Sequence, residues 1–184
     1  MNNVFATIAR RLKRFIDIRI KKKDPMELHI ASMRRSGMQI GDRCRIFSNI
    51  QSNEPYMIRI GNNVTISGNV TFCTHDNGII KVIEGKTDVV GPITVGNDCF
   101  IGMNSTLMLG ITLGENCIVG ACSVVTHSFP PHTVLAGNPA KRICSTEEYA
   151  DKYRDQAVNS KESYCYRTRK EFFEAHPELL VKRD

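Results

Sequence analysis

A six-residue repeat in the second half of the chain constrains the fold more than any other feature of the sequence. From Val89 the sequence reads VVGPIT, VGNDCF, IGMNST, LMLGIT, LGENCI, VGACSV and VTHSFP, and the first position is aliphatic in every hexad. Ordinary strands give a period of two and helices a period near 3.6. A period of six fits one short strand plus a turn, and three such units close a triangular coil. The repeat therefore predicts a mainly β solenoid whose stacked coils bury the first-position side chains.

The same period occurs earlier in the chain, from Ile40 and from Ile60, out of phase with the later block. Insertions into the ladder are therefore expected near residues 52–59 and within residues 74–88. Gly or Asn at the second or fourth position of a hexad is expected to relieve a tight turn with positive φ. The fifth position is often small and is expected near a corner of the coil.

The repeat divides the chain into three predicted segments. Residues 1–37 form a basic amphipathic helical arm, and residues 38–143 form the solenoid, with a loop excursion at 76–90. Residues 144–184 form a helical extension. Ser145 and Glu148 have the spacing of a capping box, which predicts a helix start at this point.

The positive charge of the chain is concentrated at its N-terminal end. Residues 1–35 hold ten Lys and Arg against three Asp and Glu, whereas residues 36–144 hold seven of each. A nucleic-acid-binding domain is expected to carry a basic face on its folded core. The sequence therefore predicts no nucleic-acid partner.

Residues 3–23 have the pattern of an amphipathic helix, with an apolar stripe that includes Val4, Ile8, Leu12 and Phe15. Two interpretations stay open. The stripe can pack on the first coil and close an otherwise exposed end of the solenoid. Alternatively, the helix can dock on an anionic membrane surface, to which its many basic side chains are attracted.

The number and spacing of the cysteines indicate the cellular compartment in which the protein is expected. The chain has seven, an odd number, and none forms a CxxC pair, so neither a zinc knuckle nor a redox dithiol is expected. We expect small buried thiols in a reducing compartment. No apolar run is long enough to span a membrane, and the N-terminus lacks the core of a signal peptide. The predicted location is the cytoplasm, including the inner face of the membrane if residues 3–23 dock there.

The hexads, the closing segment GACSVVTHSFPPHTVLAGNPAKRI at 120–143 and the THD tripeptide at 74–76 resemble the hexapeptide-repeat acyltransferases. The tripeptide and the excursion after it are similar to the branch that O-acetylates sugars and surface polysaccharides. The resemblance covers about residues 38–143. It implies a left-handed parallel β-helix, acetyl-CoA as co-substrate with no metal, and a carbohydrate acceptor. It also implies a homotrimer with active sites between neighbouring subunits.

The predicted catalytic residues lie where the ladder breaks. A sugar hydroxyl is a weak nucleophile, and a neutral imidazole can accept its proton, so His75 is the predicted general base. The excursion that follows would enclose the substrate, which a flat wall cannot do. Asp76, Glu84 and Asp88 are candidates for orienting the second ring nitrogen. Asp76 has an alternative interpretation, as a residue that turns the chain.

The predicted cofactor-binding residues follow from the resemblance. Ala121 matches an alanine whose backbone meets the pantetheine arm, and Thr126 matches a threonine near the adenine. Lys141 and its neighbour Arg142 match a basic position that faces the phosphates, which suits their chemistry. Gly102, in the IGM triplet, is the remaining predicted cofactor contact.

The predicted acceptor-binding residues are Asn49, Glu84 and Phe100. Asn49 resembles an asparagine that binds sugar hydroxyls, and Phe100 lies where an aromatic often lines the acyl pocket. The first functional hypothesis is an acetyl-CoA-dependent O-acetyltransferase of surface polysaccharide. The alternatives are acetylation of an amino sugar or of an antibiotic hydroxyl, and a β-helical scaffold without catalysis.

Overall fold

The structure is a computed structural model and describes residues 24–158 and 166–181, together with positions 7, 8, 11 and 15–17. The helix predicted over residues 3–23 lies largely outside these ranges, and its role stays a prediction. Among the described helices, none combines the length and apolar character needed to cross a bilayer.

Short strands separated by turns build the body of the protein. In chain order they are β1 (Gln39–Ile40), β2 (Arg45–Ile46), β3 (Ile58–Ile60), β4 (Thr65–Ile66), β5 (Thr71–Phe72), β6 (His75–Asp76), β7 (Val89–Val90), β8 (Ile93–Val95), β9 (Phe100–Ile101), β10 (Thr106–Leu107), β11 (Thr112–Leu113), β12 (Ile118–Val119), β13 (Val124–Val125), β14 (Thr133–Gly137) and β15 (Ala140–Ser145). Most contain two residues, because six residues must provide both a strand and a turn.

The strands form three walls of a triangular solenoid. The first wall has the order β1-β3-β8-β11, the second β2-β4-β9-β12-β14-β15 and the third β5-β10-β13. Neighbours within each wall are parallel, except that β15 returns antiparallel to β14. The predicted three-sided solenoid is thus confirmed.

The core consists of the aliphatic column that the repeat predicts. First-position residues such as Ile101, Leu107 and Leu113 have no exposed surface, and fifth-position residues also point inward and are buried. The hexad that starts at Val89 is an exception. Val89 is 45% exposed and lies in β7, which pairs with β6 outside the three walls. Its assignment to the ladder was wrong, because an aliphatic residue of the excursion happens to fall in phase with the repeat.

The turns depend on two different hexad positions. Positive φ angles occur at the fourth position, as at Asn63, Asp98 and Asn104, which confirms that part of the prediction. Glycine is required at the second position for a different reason. A Cβ added to Gly96 would lie 2.6 Å from the backbone nitrogen of Glu115 in the next coil. The expectation of positive φ at the second position was therefore wrong, since these glycines are required by the close stacking of coils.

A pair of glycine substitutions tests this explanation. We expect Gly96→Ala to lower the free energy of unfolding by about 1–3 kcal/mol, because the neighbouring backbone must move. Gly68→Ala is the matched control, since no heavy atom lies within 4 Å of its added Cβ. Urea denaturation of both variants measures the difference. Equal stabilities would contradict the close-approach explanation.

Helices lie at the two ends of the described solenoid. Helix α1 (Pro25–Arg35) packs against β1 and β2 and buries Ile30 and Met33 in the core. Helix α2 (Thr146–Tyr153) follows β15, and its predicted capping box between Ser145 and Glu148 is present. Helix α3 (Tyr166–Ala175) comes after it.

The cysteines only partly match the expectation of buried thiols. The six described cysteines are free, and Cys44, Cys99 and Cys117 are buried in the core. Cys122 is exposed, because it occupies a fourth-position corner with a φ of 58° and its side chain points outward. For Cys122 the expectation was wrong.

Candidate active site

The candidate site lies at the corner where the chain passes from the third wall to the first, called here the third-to-first corner. Two interruptions of the ladder meet at this corner. One carries Glu54 ahead of β3, and the other carries His75 directly after β5. Nδ1 of His75 lies 2.9 Å from Oε2 of Glu54, although 21 residues separate them in the sequence. The side chains of His75 and Glu54 are 27% and 19% exposed, so the pair is partly shielded and still reachable from solvent.

A chain of hydroxyl groups holds the glutamate in place. Thr74 Oγ1 donates to Glu54 Oε2 at 2.7 Å, and the backbone N–H of Glu54 donates to Ser52 Oγ at 2.9 Å. The two hydroxyls are 2.7 Å apart. Because the Thr74 proton is already directed at the carboxylate, Ser52 must donate to Thr74. Thr74 is only 1% exposed, so this network is fixed by the core.

The geometry determines the tautomer of the neutral imidazole. An ionised carboxylate can only accept hydrogen bonds, so Nδ1 of His75 carries a proton, and in the neutral ring Nε2 is the nitrogen with the lone pair. The hydrogen bond to Glu54 raises the pKa of His75 above its ordinary value, with smaller contributions from Asp88 and Asp76. The hydrogen bonds from Thr74 and then from His75 lower the pKa of Glu54. Such a pair can accept a proton at Nε2 and stabilise the resulting cation.

The residue that orients His75 is therefore Glu54 and none of the three predicted candidates. Asp76 accepts a hydrogen bond from the backbone N–H of Gly78 at 2.7 Å and caps the 3₁₀ turn Asn77–Lys81. This agrees with the alternative interpretation of Asp76 as a residue that turns the chain. The predicted role of Asp76 in orienting the second ring nitrogen of His75 is therefore corrected. Asp88 accepts a hydrogen bond from the side chain of Asn77. Glu84 is exposed, and no hydrogen bond links it to the part of the chain that the structure describes.

The excursion forms a projecting arm, defined here as residues 76–90. Its base is the antiparallel pair β6 and β7, in which His75 is opposite Val90. Five large aliphatic side chains of the arm are exposed, and Val82 reaches 78%. These residues are Ile80, Val82, Ile83, Val89 and Val90.

The predicted cofactor-binding residues fall on two corners that border the third wall. The registers β5–β10–β13 align Cys73, Met108 and Thr126 on the third-to-first corner. Thr126 thus lies two coils, or about 10 Å, along the axis from Cys73, two residues before His75. Thr126 is exposed, and its hydroxyl oxygen lies 3.2 Å from Nδ1 of His127.

Ala121 and Lys141 lie on the corner between the second and third walls. A Cβ on Gly120 would meet the side chain of Ala136, which pairs with Lys141 across the β14–β15 hairpin. Both Ala121 and Lys141 are exposed. Arg142 points its guanidinium towards Glu148 at 3.8 Å, so Lys141 is the less engaged of the two cations.

Gly102 has a structural cause that does not involve a cofactor. It is buried, and an added Cβ would lie 2.5 Å from the backbone nitrogen of Ala121. The predicted acceptor residues Asn49 and Phe100 are exposed, and Phe100 lies on the outer face of the second wall. No hydrogen bond joins either of them to His75 in the part of the chain that the structure describes.

Comparison with known proteins agrees with this architecture. Residues 92–127 match the family model described as hexapeptide repeat of succinyl-transferase. The chain is 43% identical over 134 residues to protein CapG of Staphylococcus aureus, a match that covers 70% of this chain and 78% of CapG. It is 33% identical to galactoside O-acetyltransferase of Escherichia coli (strain K12), over 59% of this chain and 54% of that enzyme.

A solved structure of galactoside acetyltransferase in complex with coenzyme A has the same fold. The superposition has a TM-score of 0.55 and 22% identity, and covers 78% of this chain and 82% of that one. With the repeat, the three walls and these relatives together, the chain belongs to the hexapeptide-repeat acyltransferases, has their left-handed parallel β-helix, and is an enzyme of their acetyltransferase group.

Proposed function

We propose that the protein transfers an acetyl group from acetyl-CoA to a hydroxyl of a carbohydrate, in the assembly of a surface polysaccharide. The observation that carries the proposal is the His75–Glu54 pair, in which Nδ1 is bound to the carboxylate and Nε2 is the proton-accepting nitrogen of the neutral ring, at a partly shielded corner. The name of the Escherichia coli relative, an O-acetyltransferase of galactosides, supports a sugar hydroxyl as acceptor. Free cysteines support a reducing compartment, the cytoplasm, as the place of the reaction.

The proposed reaction is a direct transfer. Nε2 of His75 accepts the hydroxyl proton as the sugar oxygen attacks the thioester carbon. The new C–O bond forms, the C–S bond breaks, and the proton passes from Nε2 to the departing thiolate. Glu54 keeps the ring in one orientation and stabilises the transient imidazolium. Backbone N–H groups of a neighbouring coil are proposed to stabilise the oxyanion.

The donor is proposed to lie along the third wall. Thr126 borders this wall on the His75 side, and Ala121 with Lys141 borders it on the other side. The thioester would then reach the His75 corner, and the phosphates would meet the cationic edge that Lys141 and Arg142 form. Gly102 supports this groove indirectly, by letting the backbone of Ala121 approach.

Substitution of Lys141 by alanine tests the proposed placement of CoA along the third wall. We expect Lys141→Ala to weaken the binding of CoA by about tenfold, the loss of one charge-assisted contact. Calorimetric titration measures the affinity, and Lys152→Ala on α2 is the control with the same change in charge. Unchanged affinity in Lys141→Ala, or an equal loss in both variants, would contradict the placement.

A neighbouring subunit is proposed to close the site, in a homotrimer. The arm exposes five aliphatic side chains beside His75, and the second wall exposes Phe100 at 41% with Met103 close by at 52%. These two apolar surfaces differ and lie on different sides of the prism. A contact between unlike patches is heterologous and closes into a ring when the rotation allows it. The arm of one copy would then cover the acceptor site formed with the next.

Release of free thiol from acetyl-CoA tests the proposed function. The protein would be assayed with a panel of neutral sugars, amino sugars, nucleotide sugars and oligosaccharides, and the acylated product would be identified by mass spectrometry. Thiol release that requires a hydroxyl-bearing sugar supports O-acetylation. Release only with amino sugars would replace the O-acetyl proposal by N-acetylation. No CoA binding and no turnover with any acceptor would overturn the proposal.

A further inference from the structure

The outer face of the first wall carries a row of polar side chains along the solenoid axis. The registers of β1, β3 and β8 place Gln39, Arg59 and Thr94 directly beside one another, one in each successive coil. Thr112 continues the row on β11. Neighbouring strands are about 4.8 Å apart, so hydrogen-bonding groups repeat at that interval. The exposed apolar groups named above lie on the arm and the second wall, so the first wall is polar by contrast.

An open groove of about 680 Å³ lies on this face. It is lined by three residues of the polar row, Gln39, Arg59 and Thr94. Arg34 from the end of α1 and Asn97 at the corner beyond β8 also line it. Arg34 and Arg59 are the charged residues of the lining, and no carboxylate belongs to it. A groove of this composition is electropositive and favours an anion.

The two arginines differ in how they are held. Nε of Arg34 donates to the carbonyl of Ile40 at 2.9 Å, and an Nη2 bond to the carbonyl of Gly41 fixes the same guanidinium. Asp42 lies 3.4 Å from Arg34, but its side chain is 88% exposed, so it neutralises little of the charge. No hydrogen bond or ion pair joins the side chain of Arg59 to the described residues, which leaves its guanidinium donors available.

The groove lies on the first wall and extends to the far corner at Gly61 and Asn97, whereas the candidate active site lies at the near, third-to-first corner. The 3₁₀ turn Pro55–Met57 connects Glu54 directly to β3, whose middle residue is Arg59. The arm also returns through β7 into β8, which carries Thr94. An acceptor whose hydroxyl is at Nε2 of His75 can therefore extend from the third-to-first corner across the first wall.

From this placement we infer that the acceptor carries an acidic group, a carboxylate or a phosphate, which Arg59 binds as a guanidinium fork with Arg34 beside it. Planar guanidinium groups match both anions in a bidentate arrangement. Gln39 and Thr94 bind hydroxyls of the sugar units on either side of the acidic one. The inference rests on the proposed function and narrows its acceptor class to acidic glycans.

The affinity of the protein for acidic and neutral glycans, measured without acetyl-CoA so that no reaction occurs, tests the inference. Calorimetry of the full chain in the absence of donor would compare an oligogalacturonate with a maltooligosaccharide of equal length. We expect the acidic chain to bind about tenfold more tightly, and Arg59→Gln to remove that preference while the neutral chain is unaffected. Arg35→Gln is the control, because Arg35 is an exposed arginine next to Arg34 that does not line the groove. Circular dichroism would confirm that all variants are folded.

A third probe distinguishes the two anions. If glucose 1-phosphate competes with the bound oligogalacturonate better than galacturonate does, the acidic group of the acceptor is a phosphate. If galacturonate competes better, the acidic group is a carboxylate. Equal affinity for acidic and neutral chains, no effect of Arg59→Gln, or no binding of any probe would overturn the inference. The proposed function fails separately, through the thiol-release assay. Neutral sugars acetylated in a His75-dependent way without an anion preference would leave the function standing and reject the acidic acceptor.

Discussion

Substitution of His75 by alanine is expected to reduce acceptor-dependent thiol release by about 10²–10⁴-fold, the contribution typical of a positioned general base. The proton of the sugar hydroxyl then loses its imidazole acceptor, and Glu54 is a poor replacement, because the hydrogen bond from Thr74 lowers its pKa and makes it a weaker base. The fold should persist, since His75 lies outside the aliphatic column. Initial rates with saturating acetyl-CoA, together with thermal melting, measure both effects.

A second His–Glu pair in the chain provides the control for this experiment. Nδ1 of His176 lies 3.1 Å from Oε1 of Glu178, in an exposed position after α3. His176→Ala removes the same side chain from the same kind of pair and should leave the rate unchanged. Full activity in His75→Ala would show that another group accepts the proton. A loss of cooperative melting would indicate a structural role instead.

Substitution of Glu54 by glutamine is expected to change both the rate and its pH dependence. In the wild type, kcat/KM should rise with pH through the raised pKa of His75, because only the neutral imidazole accepts a proton. Without the carboxylate the pKa of His75 falls towards its ordinary value, so the acidic limb moves to lower pH. The plateau should drop by about 10–100-fold, as for other residues that orient a reacting group.

Asp76→Asn discriminates between the two acidic residues near His75. The hydrogen bond to Glu54 is the largest cause of the raised pKa of His75, and the charge of Asp76 is the smallest. The acidic limb should therefore move more in Glu54→Gln than in Asp76→Asn. An equal or larger shift in Asp76→Asn would return the orienting role to Asp76. The pH profiles of kcat/KM decide between these outcomes.

The same pair makes stability depend on pH in a defined direction. The raised pKa of His75 contributes stability that is fully present below the ordinary value of 6.5 and is lost as pH rises through the raised one. The lowered pKa of Glu54 contributes stability that is fully present above 4.5 and is lost as pH falls through the lowered one. Both contributions are therefore complete between these two ordinary values.

The walls could be predicted from the sequence because their cause is local and repeated. Each hexad needs one inward aliphatic residue. The spacing of Ile101, Leu107 and Leu113 therefore predicts the buried aliphatic column without any knowledge of long-range contacts. Val89 satisfied the same rule by coincidence, because the arm needs apolar residues for a different reason. Periodicity alone does not distinguish a residue that stacks in a wall from one that projects beside it.

The site was only half predictable, for a related reason. His75 could be selected as a candidate because it lies where the period breaks. Glu54 belongs to the earlier break near residues 52–59, and nothing in either segment alone connects the two. One signal was available, since the two breaks are separated by about one coil and stacked coils bring equivalent corners together. The role proposed for Arg59 could not be predicted, because it depends on the register of three strands.

The hairpin of β14 and β15 has a consequence for how the protein behaves at high concentration. A parallel coil leaves a row of unpaired backbone groups at its end, onto which another chain can add. Here the second wall ends in an antiparallel strand, and α2 packs against the same hairpin. At this end the second wall therefore presents an antiparallel strand and not the parallel edge that the β2 strand of another molecule would continue. Continuation of the second wall from one molecule into the next is therefore disfavoured, which opposes end-to-end association in concentrated solution.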